Sequence, residues 1–260
     1  MPETDLTLLI DAARQAAKIA NRFWKTDQQI WHKHDNAGPV SEGDYAVDTY
    51  LRECLTDARP GYGWLSEETE DDPARLQAET VFIVDPIDGT RSYVAGETTW
   101  AHSLAVVRNG QPVAAVVYLP QRDKLYAATL GSGALLNGRA LVASSRSRLE
   151  GAEILAPKPS LDPQHWRGGP PPVTRHFRPS LAYRLCLVAE GRFDGMLTLR
   201  DCWEWDIAAG ALIAAEAGAA VSDRFGAPLA FNSARAKTSG VLIAARDLHA
   251  ALRDRLLPTP

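Results

Sequence analysis

The chain is sparing with the features that mark specialised classes. Cysteine occurs only three times in 260 residues, at Cys54, Cys186 and Cys202, an odd number spread widely. That supports neither a disulfide framework nor a thiolate zinc site, and predicts buried thiols in a reducing compartment. No apolar run approaches the roughly 20 residues that span a bilayer. The opening Met-Pro-Glu-Thr-Asp has neither a basic start nor a continuous apolar stretch, so a soluble cytoplasmic protein is expected. Positive charge is not in excess: 28 Lys and Arg face 32 Asp and Glu, a net charge of -4. Such a balance gives no global attraction to nucleic acid or to an anionic membrane, and neither is expected as a partner. Any phosphate must be held locally, by a metal, an arginine or backbone N–H groups. Internal repeats and low-complexity tracts are absent too.

What is plentiful is apolar surface, 45% of residues, enough for one large domain or two lobes that share an interface. Thr4 or Asp5 can cap a first helix, in which Leu6, Leu9, Ile10, Ala13, Ala17, Ala20 and Phe23 or Trp24 recur at helical spacing. Residues 32–39 read as a polar loop; its His32 and His34 have metal-ligand spacing but no third ligand. A second helix is expected over 44–55, with Asp44 in the place of an N-cap. Trp64-Leu65-Ser66 reads as a strand that delivers Glu67 and Glu68, and 70–78 as a charged connector. Strands at 100–107, 112–118 and 124–129 form an antiparallel meander, with Asn109-Gly110 as a hairpin turn. The second half starts near Arg146, which suggests an N-terminal lobe, 1–145, and a C-terminal lobe, 146–260, in one catalytic unit. It carries strands at 153–156, 193–199, 219–222 and 241–245, and helices at 180–190, 205–217 and 247–257. Gly191 and Gly218 stop the first two of these helices.

The stretch Asp85-Pro86-Ile87-Asp88-Gly89-Thr90 follows a buried apolar run, Val81-Phe82-Ile83-Val84. Two carboxylates beside an apolar strand repel each other and resist desolvation, so they call for a cation or protons. The same hexapeptide also suits a plain surface turn. Asp44, Glu67 and Asp206 stand at the edges of other elements, where a cap or a turn would explain each one alone. Ligands made only of Asp and Glu suit a hard cation, Mg²⁺ or Mn²⁺, better than Zn²⁺. Beside a helix N-terminus, such a cluster suits phosphate esters. Periodicity does not show that these segments converge.

Four ordered motifs supply that step, since they resemble the inositol monophosphatase superfamily of lithium-sensitive, magnesium-dependent phosphatases. Val40-Ser41-Glu42-Gly43-Asp44 is similar to the family's Val-Thr-x-Ala-Asp, with Ser41 for Thr and Gly43 for Ala. Ser66-Glu67-Glu68-Thr69 resembles its Gly/Ser-Glu-Glu. Asp85 to Thr90 matches Asp-Pro-(Ile/Leu)-Asp-Gly-Thr, and Trp205-Asp206-Ile207-Ala208-Ala209-Gly210 resembles Trp-Asp-x-Ala-Ala/Gly-Gly. The resemblance implies a layered α-β-α-β-α sandwich of the inositol monophosphatase and fructose-1,6-bisphosphatase type. It also implies two or three Mg²⁺ ions, with Mn²⁺ as a substitute. Glu67, Asp85, the Ile87 carbonyl, Asp88 and Asp206 would bind two of them, and Asp44 with Glu67 a third. Glu67 and Thr90 would position and activate the attacking water, with Asp44 orienting Thr90. Asp48, one turn after Asp44, competes for that role. The N–H groups of Gly89 and Thr90 would hold phosphate oxygens. A homodimer is a further implication of the resemblance.

The substrate is carried elsewhere in the chain. Inositol phosphatases typically carry a Glu seven positions before the Trp-Asp aspartate, and Leu199 stands there. Arg91 follows the hexapeptide where bacterial 3'(2'),5'-bisphosphate nucleotidases of the sulfur-assimilation type usually carry Lys. Residues 179–191, Pro-Ser-Leu-Ala-Tyr-Arg-Leu-Cys-Leu-Val-Ala-Glu-Gly, resemble a segment of the same nucleotidases, departing at Arg178, Pro179 and Ala182. Ser180, with Arg178, Arg184 or Arg200 as a phosphate fork, would complete the substrate contacts. The implied activity is removal of the 3'-phosphate from adenosine 3',5'-bisphosphate. The alternatives are an inositol-1-monophosphatase, a histidinol-phosphate phosphatase and, in another class, a non-catalytic factor associated with RNA polymerase or ribosome assembly.

Overall fold

The computed structural model describes residues 4–32 and 38–258. Helix α1, Asp5–Phe23, starts where the Thr4 hydroxyl accepts from the Thr7 N–H at 3.2 Å. Strands β1, Ile30–His32, and β2, Pro39–Ser41, pair antiparallel on either side of the expected loop and take in its two ends, His32 and Pro39. Two three-residue strands leave no period to read. His34 of the His-x-His pair lies outside the described residues. Helix α2, Glu42–Ala58, starts earlier than its apolar pattern because Ser41 is the N-cap. Asp44 is therefore not the cap; its carboxylate returns to the Ser41 N–H and hydroxyl at 2.9 and 2.6 Å in a capping box.

The first sheet runs β3 (Gly63–Ser66), β4 (Thr80–Asp88), then, past the short helix α3 (Thr90–Val94), β5 (Ala101–Arg108), β6 (Gln111–Leu119), β7 (Lys124–Thr129), β8 (Ala134–Leu136) and β9 (Arg139–Ala140). It is an antiparallel meander except that β3 and β4 run parallel. Asn109 and Gly110 both take positive φ, 49° and 79°, as a two-residue hairpin turn of the primed kind requires. The second sheet takes β10 (Glu153–Leu155), β11 (Thr174–His176), β12 (Gly195–Thr198), β14 (Ala220–Ser222) and β16 (Val241–Ala244) in the order β11-β10-β12-β16-β14. Helix α4, Leu181–Ala189, precedes β12, and helix α5, Glu204–Glu216, precedes β14. Strand β13, Cys202–Trp203, pairs with β15, Lys237–Thr238, and helix α6, Arg246–Arg255, ends the fold.

Alternating side chains assign the layers. Phe82 and Val84 of β4 pack with Leu9, Val47 and Leu51 of α1 and α2, whereas Val81 and Ile83 pack with Leu185 and Ile213 of α4 and α5. In β16, Val241 and Ile243 face that same central helix layer, and Leu242 and Ala244 face Leu248 and Leu252 of α6. Strands covered on both faces read as unbroken apolar runs, which is why these two were legible as strands. The result is an α-β-α-β-α sandwich. Among the described residues no helix is long and apolar enough to cross a membrane.

Candidate active site

Strand register brings the carboxylates together. Asp85 follows Val81 and Ile83 on the face of β4 that looks toward α5. Its cross-strand neighbour, Ser103, donates to the Trp205 carbonyl at 3.0 Å, which holds the first turn of α5 and Asp206 against this point of the sheet. On the other side, β3 runs parallel with Ser66 opposite Val84, and the Glu67 N–H donates to the Val84 carbonyl at 3.2 Å. Glu67, Asp85 and Asp206 therefore converge, each with a carboxylate oxygen within 4.8 Å of the others. Burial first, then repulsion from Glu67, Asp88 and Asp206, pushes the Asp85 carboxyl well above the usual carboxylate range. Asp206 is pushed up in the same way, by burial and then by Asp88 and Glu67. Asp85 Oδ1 is buried without a protein partner. An all-oxygen donor set that repels itself and holds an unpartnered buried oxygen fits a hard divalent cation.

Asp88 differs from these three. Its carboxylate accepts from Ser180 Oγ at 2.6 Å and from the N–H groups of Leu181 and Ala182 at 3.2 and 2.6 Å, so it caps α4. It faces the same cleft as the other three and its charge raises Asp85 and Asp206, but it lies outside the group of three carboxylates within 4.8 Å of one another. The cause is a contact 92 positions apart in sequence, invisible to local spacing. Ser180 bridges the two elements at a positive φ, 63°, that L residues rarely adopt. Gly89, at φ 99°, begins α3. The Thr90 hydroxyl donates to Asp44 Oδ1 at 3.0 Å and to the Ile87 carbonyl at 3.2 Å. Asp44 is buried and pushed up to about 6 by that burial. Asp48 instead accepts from the hydroxyls of Ser66 and Thr69 at 2.5 and 2.6 Å, pinning the turn that carries Glu67. Of the two candidates for the Thr90 contact, Asp44 makes it.

The neighbouring departures from the family motif have a packing explanation. A Cβ on Gly43 would overlap the Tyr93 ring, and Tyr93 is fixed by donating its hydroxyl to the Ala20 carbonyl at 2.6 Å. Ser41 keeps the hydroxyl that the cap needs. Two buried polar groups had no signal in the sequence. His102 donates its Nδ1–H to the Pro86 carbonyl at 2.5 Å, steadying the backbone between the two aspartates. Burial pushes this histidine down to about 4, so it stays neutral. Glu204, wholly buried, accepts from the backbone of the 232–233 loop.

Glu67, Asp85, Asp88, Gly89, Thr90 and Asp206 form the floor of a cleft of about 770 Å³. Its wall carries Arg91, Ser180, Arg184 and Arg200, with the exposed Phe177 and Trp203 at the rim and the buried Trp205 also lining it. Arg184 is buried, and its Nη1 has no protein partner. Its guanidinium lies 5.1 Å from the Phe177 ring centre. Burial lowers the affinity of this guanidinium for its proton, while Asp88 and Asp206 oppose that effect. Arg178 does not line the cleft. Its Nη1 donates to the Phe177 carbonyl at 2.7 Å and its head lies over Phe193, so the sequence expectation of a substrate contact there is dropped. Leu199 is buried among Ile154, Leu197 and Leu242, away from the cleft.

The signature of the inositol monophosphatase family matches residues 1–257. The chain belongs to that family. As a member it is a metal-dependent hydrolase of phosphoric monoesters. An inositol-1-monophosphatase of Rhizobium meliloti is 36% identical over 232 residues, 85% of this chain and 86% of the relative. A protein of Neisseria meningitidis serogroup B named putative Nus factor SuhB is 36% identical over 236 residues, 85% and 87% of the two. The crystal structure of extragenic suppressor protein suhB from Bartonella henselae is similar at a TM-score of 0.82 and 30% identity, covering 95% of this chain and 96% of that one. The inositol monophosphatase of Thermotoga maritima has a TM-score of 0.82 at 25% identity, over 96% and 95%.

Proposed function

We propose that this protein is a Mg²⁺-dependent phosphomonoesterase whose substrate carries a second anionic group, best matched by adenosine 3',5'-bisphosphate. The carrying observation is Arg184, a buried arginine in the cleft wall with an unpartnered Nη1. A buried guanidinium proton left without an acceptor is costly, and a second phosphate would satisfy it. Arg200 and Arg91 line the same cleft and add to its affinity for anions. Leu199, turned into the core, offers nothing to the hydroxyls of inositol. Phe177 supplies an exposed aromatic surface against which a purine can rest.

In this reading Glu67, Asp85 and Asp206 would hold the cation together with Asp88 and the Ile87 carbonyl, and Asp44 with Glu67 would hold a further ion. A divalent cation there neutralises phosphate charge and acidifies water. Thr90, its hydroxyl proton committed to Asp44 and Ile87, presents a lone pair to the attacking water, and a Glu67 carboxylate oxygen takes the water's proton. The N–H groups of Gly89 and Thr90, at the first turn of α3, bind the phosphate oxygens. Ser180 positions Asp88 and the cleft wall at once.

Phosphate release from adenosine 3',5'-bisphosphate, inositol 1-phosphate and histidinol phosphate tests this reading. The expected result is a kcat/KM at least about tenfold higher for the bisphosphate, equivalent to 1.4 kcal/mol; a preference for inositol phosphate overturns it. The Neisseria name supports a second reading, a role beside the transcription machinery. A non-catalytic role needs no carboxylate cluster. If an Asp85→Asn chain complements a deletion strain, the second reading gains and catalysis is not the physiological task.

A further inference from the structure

Two buried charged residues take no part in the chemistry described above. Arg75 is 3% exposed and Glu204 is wholly buried. Arg75 lies in the connector that follows Glu67, and Glu204 opens α5 just before Asp206. One loop joins them. Arg75 Nη1 donates to Asn232 Oδ1 at 2.7 Å and to the Ser233 carbonyl at 3.1 Å, and Nη2 donates to that carbonyl at 3.1 Å. Asn232 returns a bond from Nδ2 to the Arg75 carbonyl at 3.1 Å. From the other side, Glu204 accepts from the Asn232 N–H at 2.6 Å, the Ser233 N–H at 2.9 Å and Ser233 Oγ at 2.6 Å. Asp71 completes the set with a bidentate pair to Arg75 at 2.6 and 2.9 Å.

Burying an arginine and a glutamate is a poor route to stability, since packed apolar side chains of the same volume commonly do as well. What apolar side chains do not do is hold backbone groups at fixed distances. Here the backbone groups so held are those of the 232–233 loop and the Arg75 carbonyl. The loop thereby ties the connector that follows Glu67 to the first turn of α5, which carries both Glu204 and Asp206. Those segments lie on different elements, and no strand pairing joins them directly. We infer that Arg75 and Glu204 are positioning residues, a clamp through the 232–233 loop that sets the separation of Glu67 and Asp206 and so tunes the cluster's affinity for its cation. This rests on those two carboxylates sharing a cation, as proposed above.

The test is Mn²⁺ binding to the whole protein, followed by electron paramagnetic resonance, with thermal unfolding measured in parallel without metal. Arg75→Gln is expected to weaken Mn²⁺ binding about tenfold, within the range typical of residues that orient metal ligands. The apparent constant for Mg²⁺ in the phosphatase assay should rise by a similar factor while kcat at saturating Mg²⁺ falls less. Leu248→Ala, a core truncation under α6, serves as the stability control: it should lower the melting temperature and leave Mn²⁺ affinity unchanged. If Arg75→Gln does not fold, Ser233→Ala, which removes a single bond to Glu204, should still weaken Mn²⁺ binding two- to fivefold. The double change Arg75→Gln with Glu204→Gln should weaken binding less than the product of the single effects, because the two act through one loop. Mn²⁺ affinity within twofold of wild type in the folded variants overturns the clamp. If Asp85→Asn binds Mn²⁺ as tightly as the wild-type protein, the shared-cation reading itself is overturned, and the clamp with it.

Discussion

The floor and the wall of the cleft are built by different means. The floor is backbone-driven: Asp85 sits in a central strand, Glu67 is fixed beside it by parallel pairing, and Asp206 is held at a helix start by Ser103. Its ligands leave the backbone at points set by the sheet register and by the Ser103 bond that docks the start of α5 on the sheet. The wall is side-chain-driven: Arg184, Arg200 and Arg91 reach in on long stems, with Phe177 half exposed at the rim. A reaction that needs several oxygens within a few ångströms of one another tolerates few residue types, whereas recognition of an anion can be met from several starting points. The floor therefore announces the chemistry in its motif, and the wall leaves the substrate to be argued from burial and unpaired groups.

The largest effect that would break this contrast is Asp85→Asn. Loss of several kcal/mol of charge stabilisation predicts a fall in phosphate release of at least about a thousandfold. In the absence of metal the same change should raise the melting temperature, because it removes one of the mutually repelling carboxylates. A variant that loses activity and also loses metal-free stability would mean that Asp85 is structural. The pH dependence sharpens the point. Asp44 is pushed up from 3.8 to about 6 by burial, and Asp85 and Asp206 are raised with it. Raised folded-state values mean stability that is present in full below about pH 4 and lost as the pH climbs through 6. For Asp44 alone this amounts to roughly 3 kcal/mol. Denaturant unfolding in a chelator should therefore show a more stable protein at pH 5 than at pH 7, and Mg²⁺ should reverse the trend, since it binds the ionised carboxylates.

On the wall, Arg184→Gln is predicted to lower kcat/KM for adenosine 3',5'-bisphosphate by about 10- to 100-fold, the worth of a hydrogen bond to a charged group. It should leave a substrate with a single phosphate nearly unaffected. Equal losses on both substrates would place Arg184 with the floor, acting through the adjacent Asp88.

Much of the floor was legible because each ligand ends a recognisable element: Ser66 closes a strand, Val84 precedes Asp85 in an apolar run, and Asp206 opens an Ala-rich helix. Their convergence was not a matter of period or propensity and came from the motifs. What escaped was set by distant pairing. The β1–β2 and β13–β15 ladders are too short to carry a pattern, and the Asp88–Ser180 contact joins two otherwise ordinary helix and strand ends. Asp44 looked like a cap because it is acidic and stands early in a helix, but Ser41 holds the cap and leaves one Asp44 oxygen for Thr90. Arg178 and Arg184 looked alike in sequence. Only the helix turn on which Arg184 sits carries it inward.

The smallest expected effects test the contrast by packing alone. Gly43→Ala restores the residue usual in the family motif, yet here it should destabilise the protein by about 1–2 kcal/mol, measured by urea unfolding, because the new methyl meets the Tyr93 hydroxyl and ring. Adding Tyr93→Phe removes the nearest atom of that contact and should recover part of the loss, at the expense of the bond to Ala20. Phe177→Leu at the rim changes more volume but at a half-exposed site, and should alter stability by less than about 0.5 kcal/mol. If the glycine change is neutral and the phenylalanine change costly, the packing of α2 on Tyr93 behind the floor is the yielding side, and the contrast between a rigid floor and an adaptable wall fails.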